Sequence, residues 1–196
     1  GSPSYAKVNG REMVLWGAGD GVCYAFKPLT SLEPGQTLET LWKCDCNPPE
    51  YRNDPFNRRG RGPRGIIATP VCVDDRVYVA IGQDPSHGPG LGAMTCIDAT
   101  GRGDVSTTGI VWQNRTIGRS ISTAAVADGL VYIAETSGRV HCLDAATGAS
   151  YWQYKARRSV WPSPVVVDGC VLVAAHSGRR LTVLAHGKES EVLDIT

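Results

Sequence analysis

The chain has 196 residues, of which 42% are hydrophobic and 20% are charged, so it is long enough to bury a core and too apolar to be disordered. Its formal net charge of +1 excludes a global field that would attract nucleic acid, and we expect no nucleic-acid partner. No apolar stretch is long enough to span a bilayer, and no signal peptide is visible.

Short strands on either side of two-residue turns are the first predicted elements. The turns are Asn9-Gly10, Asp74-Asp75, Asp128-Gly129 and Asp168-Gly169. Asn-Gly and Asp-Gly favour the type I′ hairpin turn, because both of its central residues need a positive φ. The turns begin at residues 9, 74, 128 and 168, so the intervals are 65, 54 and 40 residues. The last interval is close to the length of a four-stranded propeller blade, about 40–45 residues.

One stretch, residues 129–152, shows the order of elements that recurs along the chain. A strand at 130–134 is followed by the Ser137-Gly138 turn, a strand at 140–143, an Asp-x-x-Thr-Gly turn and then Trp152. The same order predicts four antiparallel strands in each of four units. We place the blades at about 2–46, 67–114, 121–155 and 161–196, in one domain with an insertion at 47–65.

A β-sandwich is the alternative fold, because it also has short strands and regular turns. A sandwich does not need the same Asp, Thr-Gly and Trp at matching points of successive units. The repeat therefore favours an all-β propeller.

The segment from Cys142 to Trp152 resembles the tryptophan-docking motif Ala-x-Asp-x-x-Thr-Gly-x-x-x-Trp of PQQ-like (quinoprotein-type) β-propeller repeats. The segment from Cys96 to Trp112 is a looser match, and Phe26-Lys27-Pro28 with Trp42 is a degenerate one. The repeat gives about four blades, and the resemblance implies that they are half of an eight-bladed ring or a fragment. The residues that it implies as structural docking residues are Trp42, Trp112, Trp152, Asp98, Asp144, Thr147 and Gly148.

The same repeat occurs in two functional classes. It builds PQQ-dependent alcohol dehydrogenases, and it also builds non-catalytic BamB-like lipoproteins and uncharacterised secreted bacterial propellers. The resemblance implies a bacterial periplasmic or secreted location. Adjacent paired cysteines and a convincing calcium cage are lacking, so the sequence favours a non-catalytic binding or scaffolding module without a cofactor. The alternative is part of an oxidoreductase that uses PQQ and calcium.

Ring closure predicts the partner. Propellers of the family that this repeat resembles close with seven or eight blades, and four blades leave an apolar blade face at each end. We expect this chain to pair with a second copy, or with another propeller half, to complete a ring. A truncated fragment and a tight four-bladed ring are the alternatives, and another protein partner is also compatible with the pattern.

Few residues outside the turns are candidates for chemistry. Asp84 and Glu135 end second strands and are weak candidates for a calcium ligand or a base. Cys44 and Cys46 are weak candidates for a soft-metal site, but two ligands are too few. The odd count of seven cysteines and their strand positions predict mostly free thiols. His141 alternates with Cys142 in a strand, which predicts that it faces a neighbouring blade.

An arginine-rich insertion is the most unusual local segment. Its arginines are Arg52, Arg58, Arg59, Arg61 and Arg64. Such a loop is a candidate anion-binding loop, and a solvated surface loop is the simpler alternative. Further arginines lie in the joints between later blades, at Arg115, Arg119, Arg157 and Arg158. A basic patch is expected if these joints share a face with the insertion.

Overall fold

In the described part of the chain four sheets follow one another, each with four antiparallel strands, and the first sheet has a fifth, parallel strand at its outer edge. The structure is a computed structural model that describes residues 1–29, 31, 33–52, 64–84, 86, 90–177 and 179–196. We call the sheets blades 1 to 4. A short 3₁₀ helix at Pro49–Tyr51 follows blade 1. No helix in the described part of the chain has the length and apolarity needed to cross a membrane.

The strands are numbered in chain order. Blade 1 contains β1 (Ser4–Val8), β2 (Arg11–Gly17), β3 (Val22–Phe26) and β4 (Thr40–Asp45). Blade 2 contains β5 (Val71–Val73), β6 (Arg76–Ile81), β7 (Ala93–Asp98) and β9 (Ile110–Asn114), with the two-residue β8 (Gly103–Asp104) before its last strand. Blade 3 contains β10 (Ala125–Ala127), β11 (Leu130–Ala134), β12 (Arg139–Asp144) and β13 (Ser150–Lys155). Blade 4 contains β14 (Val165–Val167), β15 (Cys170–Ala174), β16 (Leu181–Ala185) and β17 (Val192–Ile195).

The two-residue turns between the first and second strands have the expected backbone geometry. In the first turn Asn9 has a φ of 49° and Gly10 a φ of 78°. Asp128-Gly129 and Asp168-Gly169 repeat this pair of positive values. In the second turn only Asp74 has a positive φ, of 54°, because Asp75 occupies the position that glycine has elsewhere.

The first strand of each blade is the innermost. Strand β10 contacts both β5 and β14, the first strands of the neighbouring blades. The chain just before these strands is linked by hydroxyl groups. The amide of Thr69 donates to Thr123 Oγ1 at 3.0 Å, and the amide of Thr123 donates to Ser163 Oγ at 2.9 Å. The blades therefore radiate from a row of inner strands, as in a propeller.

Three buried clusters lie between successive blades, and we call them the first, second and third seams. Each seam is lined by alternate residues of the middle strands, because successive side chains of a strand point to opposite faces. Met13 of blade 1 and Val79 of blade 2 belong to the first seam. Tyr78 and Ile133 belong to the second. Tyr132 and Val173 belong to the third.

One strand was not predicted from the sequence. The insertion in the last turn of blade 2 places β8 beside β4, where Gly103 pairs with Trp42 in a parallel bridge. The amide of Val105 then donates to Lys43 O at 2.9 Å, and the Val105 side chain is buried. This insertion therefore joins blade 2 to the outer strand of blade 1.

Candidate functional site

The Asp-x-x-Thr-Gly turn is held together by its own carboxylate. Asp144 Oδ1 accepts hydrogen bonds from the Thr147 amide at 2.8 Å and from Thr147 Oγ1 at 2.9 Å. Asp144 Oδ2 accepts from the Tyr151 hydroxyl at 2.7 Å. These bonds, that of Tyr151 first, lower the pKa of Asp144. Asp98 bonds Thr100 in the same way in blade 2, so both carboxylates serve their own turns.

The tryptophans of the outer strands reach into the next blade. Trp112 Nε1 donates to Ala145 O at 3.0 Å, and Trp152 Nε1 donates to Gly187 O at 3.0 Å. A Cβ at Gly148, which has a φ of 72°, would lie 2.5 Å from the Trp112 ring. Trp42 is fully buried, but its Nε1 has no acceptor among the described residues.

Glu135 and His141 form a buried pair in the second seam. Glu135 is 4% exposed and His141 is 0% exposed. His141 Nε2 donates to Glu135 Oε1 at 2.6 Å, and the Gly118 amide donates to the same oxygen at 2.9 Å. Ser137 Oγ donates to Oε2 at 2.7 Å. Both carboxylate oxygens are therefore used within the protein, which does not suit a general base or a calcium ligand.

The charge of Glu135 is stabilised by these bonds. Burial by itself would raise the pKa of Glu135, but hydrogen bonds from His141, Ser137 and the Gly118 amide outweigh it and lower the pKa to about 2. Arg139 Nη1 lies 3.9 Å from Oε1 and adds a nearby positive charge. The carboxylate is therefore ionised at any pH near neutral.

The other sequence candidates do not converge on Glu135. Asp84 lies in the hairpin after β6, where its Oδ1 accepts the Ser86 amide at 2.8 Å, and its charge acts on the buried Arg119. Among the described residues, no group of three or more His, Cys, Asp or Glu side chains is placed to hold a metal ion.

Cys44 and Cys46 belong to the core of the first seam together with Cys23. Cys46 Sγ donates to Cys44 O at 3.6 Å. Its interaction with Cys44 and its burial raise the pKa of Cys46, and burial raises that of Cys23. Protonated, buried thiols are poor metal ligands. All seven cysteines lie within the described residues, and all are free.

The described residues include only part of the arginine-rich insertion. Arg58, Arg59 and Arg61 lie outside the described residues. Arg52 donates to three backbone carbonyls, those of Asn47 at 3.1 Å, Asp45 at 3.1 Å and Ser106 at 3.3 Å. It thereby fastens the start of the insertion to blade 1. Anion binding by Arg52, Arg64 and the rest of this loop stays a prediction.

The joints between blades share one side of the molecule with the hairpins between second and third strands, and we call this side the joint face. The Thr136 amide donates to Arg119 O at 2.9 Å, and the His176 amide donates to Ser159 O at 2.9 Å. Each hairpin is thus bonded to the joint that precedes its blade. Arg157 and Arg158 lie on this face beside the hairpin arginine Arg180.

The outward surfaces of the two outermost blades, which we call end face 1 and end face 4, are largely apolar, and Lys7, Glu12 and Asp194 add charges to them. End face 1 contains Tyr5, Val14, Trp16, Tyr24 and Phe26. On it the Trp16 and Tyr24 rings stack with centroids 6.0 Å apart, and Tyr24 and Phe26 stack at 5.7 Å. End face 4 is aliphatic and contains Val165, Val167, Cys170, Leu172, Ala174, Leu181, Val183 and Ala185.

Comparison with known proteins supports the architecture. The family model described as outer membrane protein assembly factor BamB matches residues 96–190. A search of curated proteins finds no match. Among solved structures, BamB from Moraxella catarrhalis superposes with a TM-score of 0.62 at 18% identity, over 98% of this chain and 48% of that one.

Two further solved structures share the fold. The computationally designed Ika8 protein gives a TM-score of 0.63 at 13% identity, over 94% of this chain and 46% of its own. A europium-containing methanol dehydrogenase gives 0.53 at 20% identity, over 69% and 24%. This chain thus spans less than half the length of these structures. The predicted PQQ-like repeat and the all-β fold of four-stranded blades are confirmed.

Proposed function

We propose that this PQQ-like propeller chain is a non-catalytic binding or scaffolding module of an extracytoplasmic compartment, and that a second copy completes its ring. The observation that carries the proposal is the pair of apolar end faces. Trp16 is 40% exposed on end face 1, and Val165 is 53% exposed on end face 4. Contiguous apolar surface of this kind marks a site of association. The match to an outer-membrane assembly factor supports the compartment and the binding role.

The internal seams show how such faces are covered. Each seam joins two kinds of blade face. The earlier blade contributes the face equivalent to end face 4, and the later blade contributes the face equivalent to end face 1. Leu172 of end face 4 holds the strand position that Tyr132 holds in the third seam, where Tyr132 is fully buried. Packing end face 4 of one copy on end face 1 of another would therefore repeat an existing contact. Two copies supply eight blades, and a head-to-tail contact closes when its rotation fits.

The first prediction is a dimer that depends on end face 1. Light scattering after gel filtration should give twice the 20.9 kDa mass of the chain. Trp16→Lys should give the monomer, because it places a charge in the apolar contact. Val111→Lys is the matched control, since Val111 is equally exposed, at 40%, but lies on the outer strand of blade 2.

The outcomes separate the occupants of the end faces. A wild-type dimer that Trp16→Lys dissociates and Val111→Lys leaves intact supports pairing of two copies. A monodisperse monomer at tens of micromolar would rule out pairing and would assign the end faces to another partner or to other blades.

The second prediction concerns the alternative enzymatic function. After incubation with PQQ and calcium, gel filtration should leave no quinone absorbance with the protein, and alcohols should not reduce a dye. We expect this because the carboxylate and thiol candidates are bonded internally and do not converge. Bovine serum albumin, or another unrelated protein, treated in the same way sets the background. Retained quinone together with alcohol-dependent dye reduction would replace the binding role with an oxidoreductase role.

A further inference from the structure

The second and third seams are built from equivalent positions, about 40 residues apart in sequence. The Thr136 amide bonds Arg119 O in one, and the His176 amide bonds Ser159 O in the other. Glu135 and Ala175 therefore correspond, and so do Gly118 and Arg158. Across the sheets, Ile133 pairs with His141, as Val173 pairs with Thr182.

The hairpin arginines correspond as well. The Glu135 amide donates to Arg139 O at 2.7 Å, and the Ala175 amide donates to Arg180 O at 3.0 Å. In the second seam Arg139 has the Glu135 carboxylate at 3.9 Å. In the third seam Arg180 has only the methyl group of Ala175 at that position. The third seam therefore has the arginine of this pair but not the carboxylate.

A cleft lies where the carboxylate is missing. Ala175 and Thr182, the counterparts of Glu135 and His141, line it together with Arg157, Arg158 and Arg180. Its enclosed part is about 10 Å³, which is room for one water molecule or one carboxylate oxygen. No carboxylate of the described residues pairs with any of these three exposed arginines within 4.0 Å.

We propose that this cleft of the third seam binds a carboxylate of an acidic segment from a partner protein, in the position that Glu135 occupies in the second seam. Arg180 takes the part of Arg139, and Arg157 and Arg158 add further positive charge. The molecule itself thus contains the template for the bound state. This inference rests on the proposed binding role in one respect, which is that the carboxylate comes from a partner protein.

The surroundings favour a protein segment over a nucleic acid or a polyphosphate. Val160, Val173 and Ile195 line the cleft beside the arginines. An apolar floor with a charged rim is the anatomy of a protein–protein contact. Exposed Trp161 stacks on His176 next to it, with ring centroids 3.4 Å apart. A peptide carboxylate could pair with the arginines while apolar side chains next to it in the peptide pack on the apolar residues.

Fluorescence anisotropy with fluorescein-labelled decaglutamate tests the site. Binding to the wild-type chain at 0.15 M salt should weaken about tenfold or more in Arg180→Gln, which removes a charge-assisted pair. Ala175→Glu should weaken it similarly, because an internal carboxylate then fills the cleft. Arg102→Gln, an exposed arginine between β7 and β8, is the matched control and should change nothing. Circular dichroism checks that each variant is folded.

Competitors identify the ligand class. Decaglutamate should bind more tightly than a ten-nucleotide single-stranded DNA, and free acetate should compete only at far higher concentration than the peptide. Equal binding in Arg180→Gln and wild type, or tighter binding of the DNA, would overturn the proposal. If peptide binding depends on Arg180 and the protein also proves to be a PQQ enzyme, the cleft is a binding site but the proposed function is wrong. If neither Arg180→Gln nor Ala175→Glu changes peptide binding and the protein binds no PQQ, the proposed site is wrong but the proposed function stands.

Discussion

Replacing Trp112 with alanine is expected to lower the free energy of unfolding by about 3–5 kcal/mol. The ring lies in the second seam against Gly148 of the next blade, and its Nε1 bonds Ala145 O at 3.0 Å. Alanine would leave a cavity between two blades that cannot close without moving a whole sheet. Urea unfolding followed by circular dichroism measures the difference.

Trp16→Ala is the matched control for this experiment. It removes the same side chain from end face 1, where the ring is 40% exposed in the single chain, and should cost about 1 kcal/mol or less in a monomeric variant. Trp112→Phe should cost less than Trp112→Ala, because a phenyl ring leaves a smaller cavity in the seam, while Ala145 O keeps the Tyr78 hydroxyl as a donor at 3.2 Å in both variants. Equal losses for Trp112→Ala and Trp16→Ala would show that the seam tryptophans do not hold the blades together.

Glu135→Gln is expected to destabilise the protein at neutral pH and to lose this effect in acid. The folded-state pKa of Glu135 is lowered from 4.5 to about 2, so the charge contributes stability that is fully present above pH 4.5. That contribution is lost as the pH falls from about 4.5 through 2. Its size is about 3 kcal/mol, from the shift in pKa at 1.36 kcal/mol per unit. Chemical unfolding of both proteins at a series of pH values measures it.

Glu189→Gln provides the control, because Glu189 is exposed and has no hydrogen bond among the described contacts. It should change the stability by less than about 0.5 kcal/mol at every pH. A difference between wild type and Glu135→Gln that stays constant between pH 7 and pH 2 would contradict the assignment of a strongly stabilised charge.

The second and third seams have equivalent backbone positions but different polar side chains at them. In the second seam the polar positions are filled from within by Glu135 and His141, and the result is a locked contact between blades. In the third seam the same positions hold Ala175 and Thr182, and the arginines around them remain available to a ligand. The proposed site depends on this difference and on Arg158, which stands where the second seam has Gly118.

The repeat made the blades predictable. Turn residues with positive φ, such as Asn9 and Asp128, have few alternatives, and the alternation of apolar residues in strands such as β12 points one face inward. Trp42, Trp112 and Trp152 follow these turns in the same order of elements, although insertions change the spacing. These signals are local, so the sequence alone reveals them.

Other features depended on contacts between distant residues. Strand β8 has two residues and no periodicity, and it exists because Gly103 meets Trp42 across the first seam. Glu135 was predicted to end a strand and His141 to face a neighbouring blade, but no sequence signal brought the two together. The charge and the imidazole within otherwise apolar strands were the only hint that a buried pair forms.

The sequence by itself determined the number of blades, the order of their strands and the turn that each tryptophan follows, because these depend on periodicity and on local backbone preferences. The tertiary structure alone decided which polar groups meet in the seams. The stacking of one blade on the next decides that Glu135 finds three donors, and that Arg180 has no carboxylate partner among the described residues. Hydrogen bonds and charges act over a few ångströms between residues that the chain separates by a whole blade.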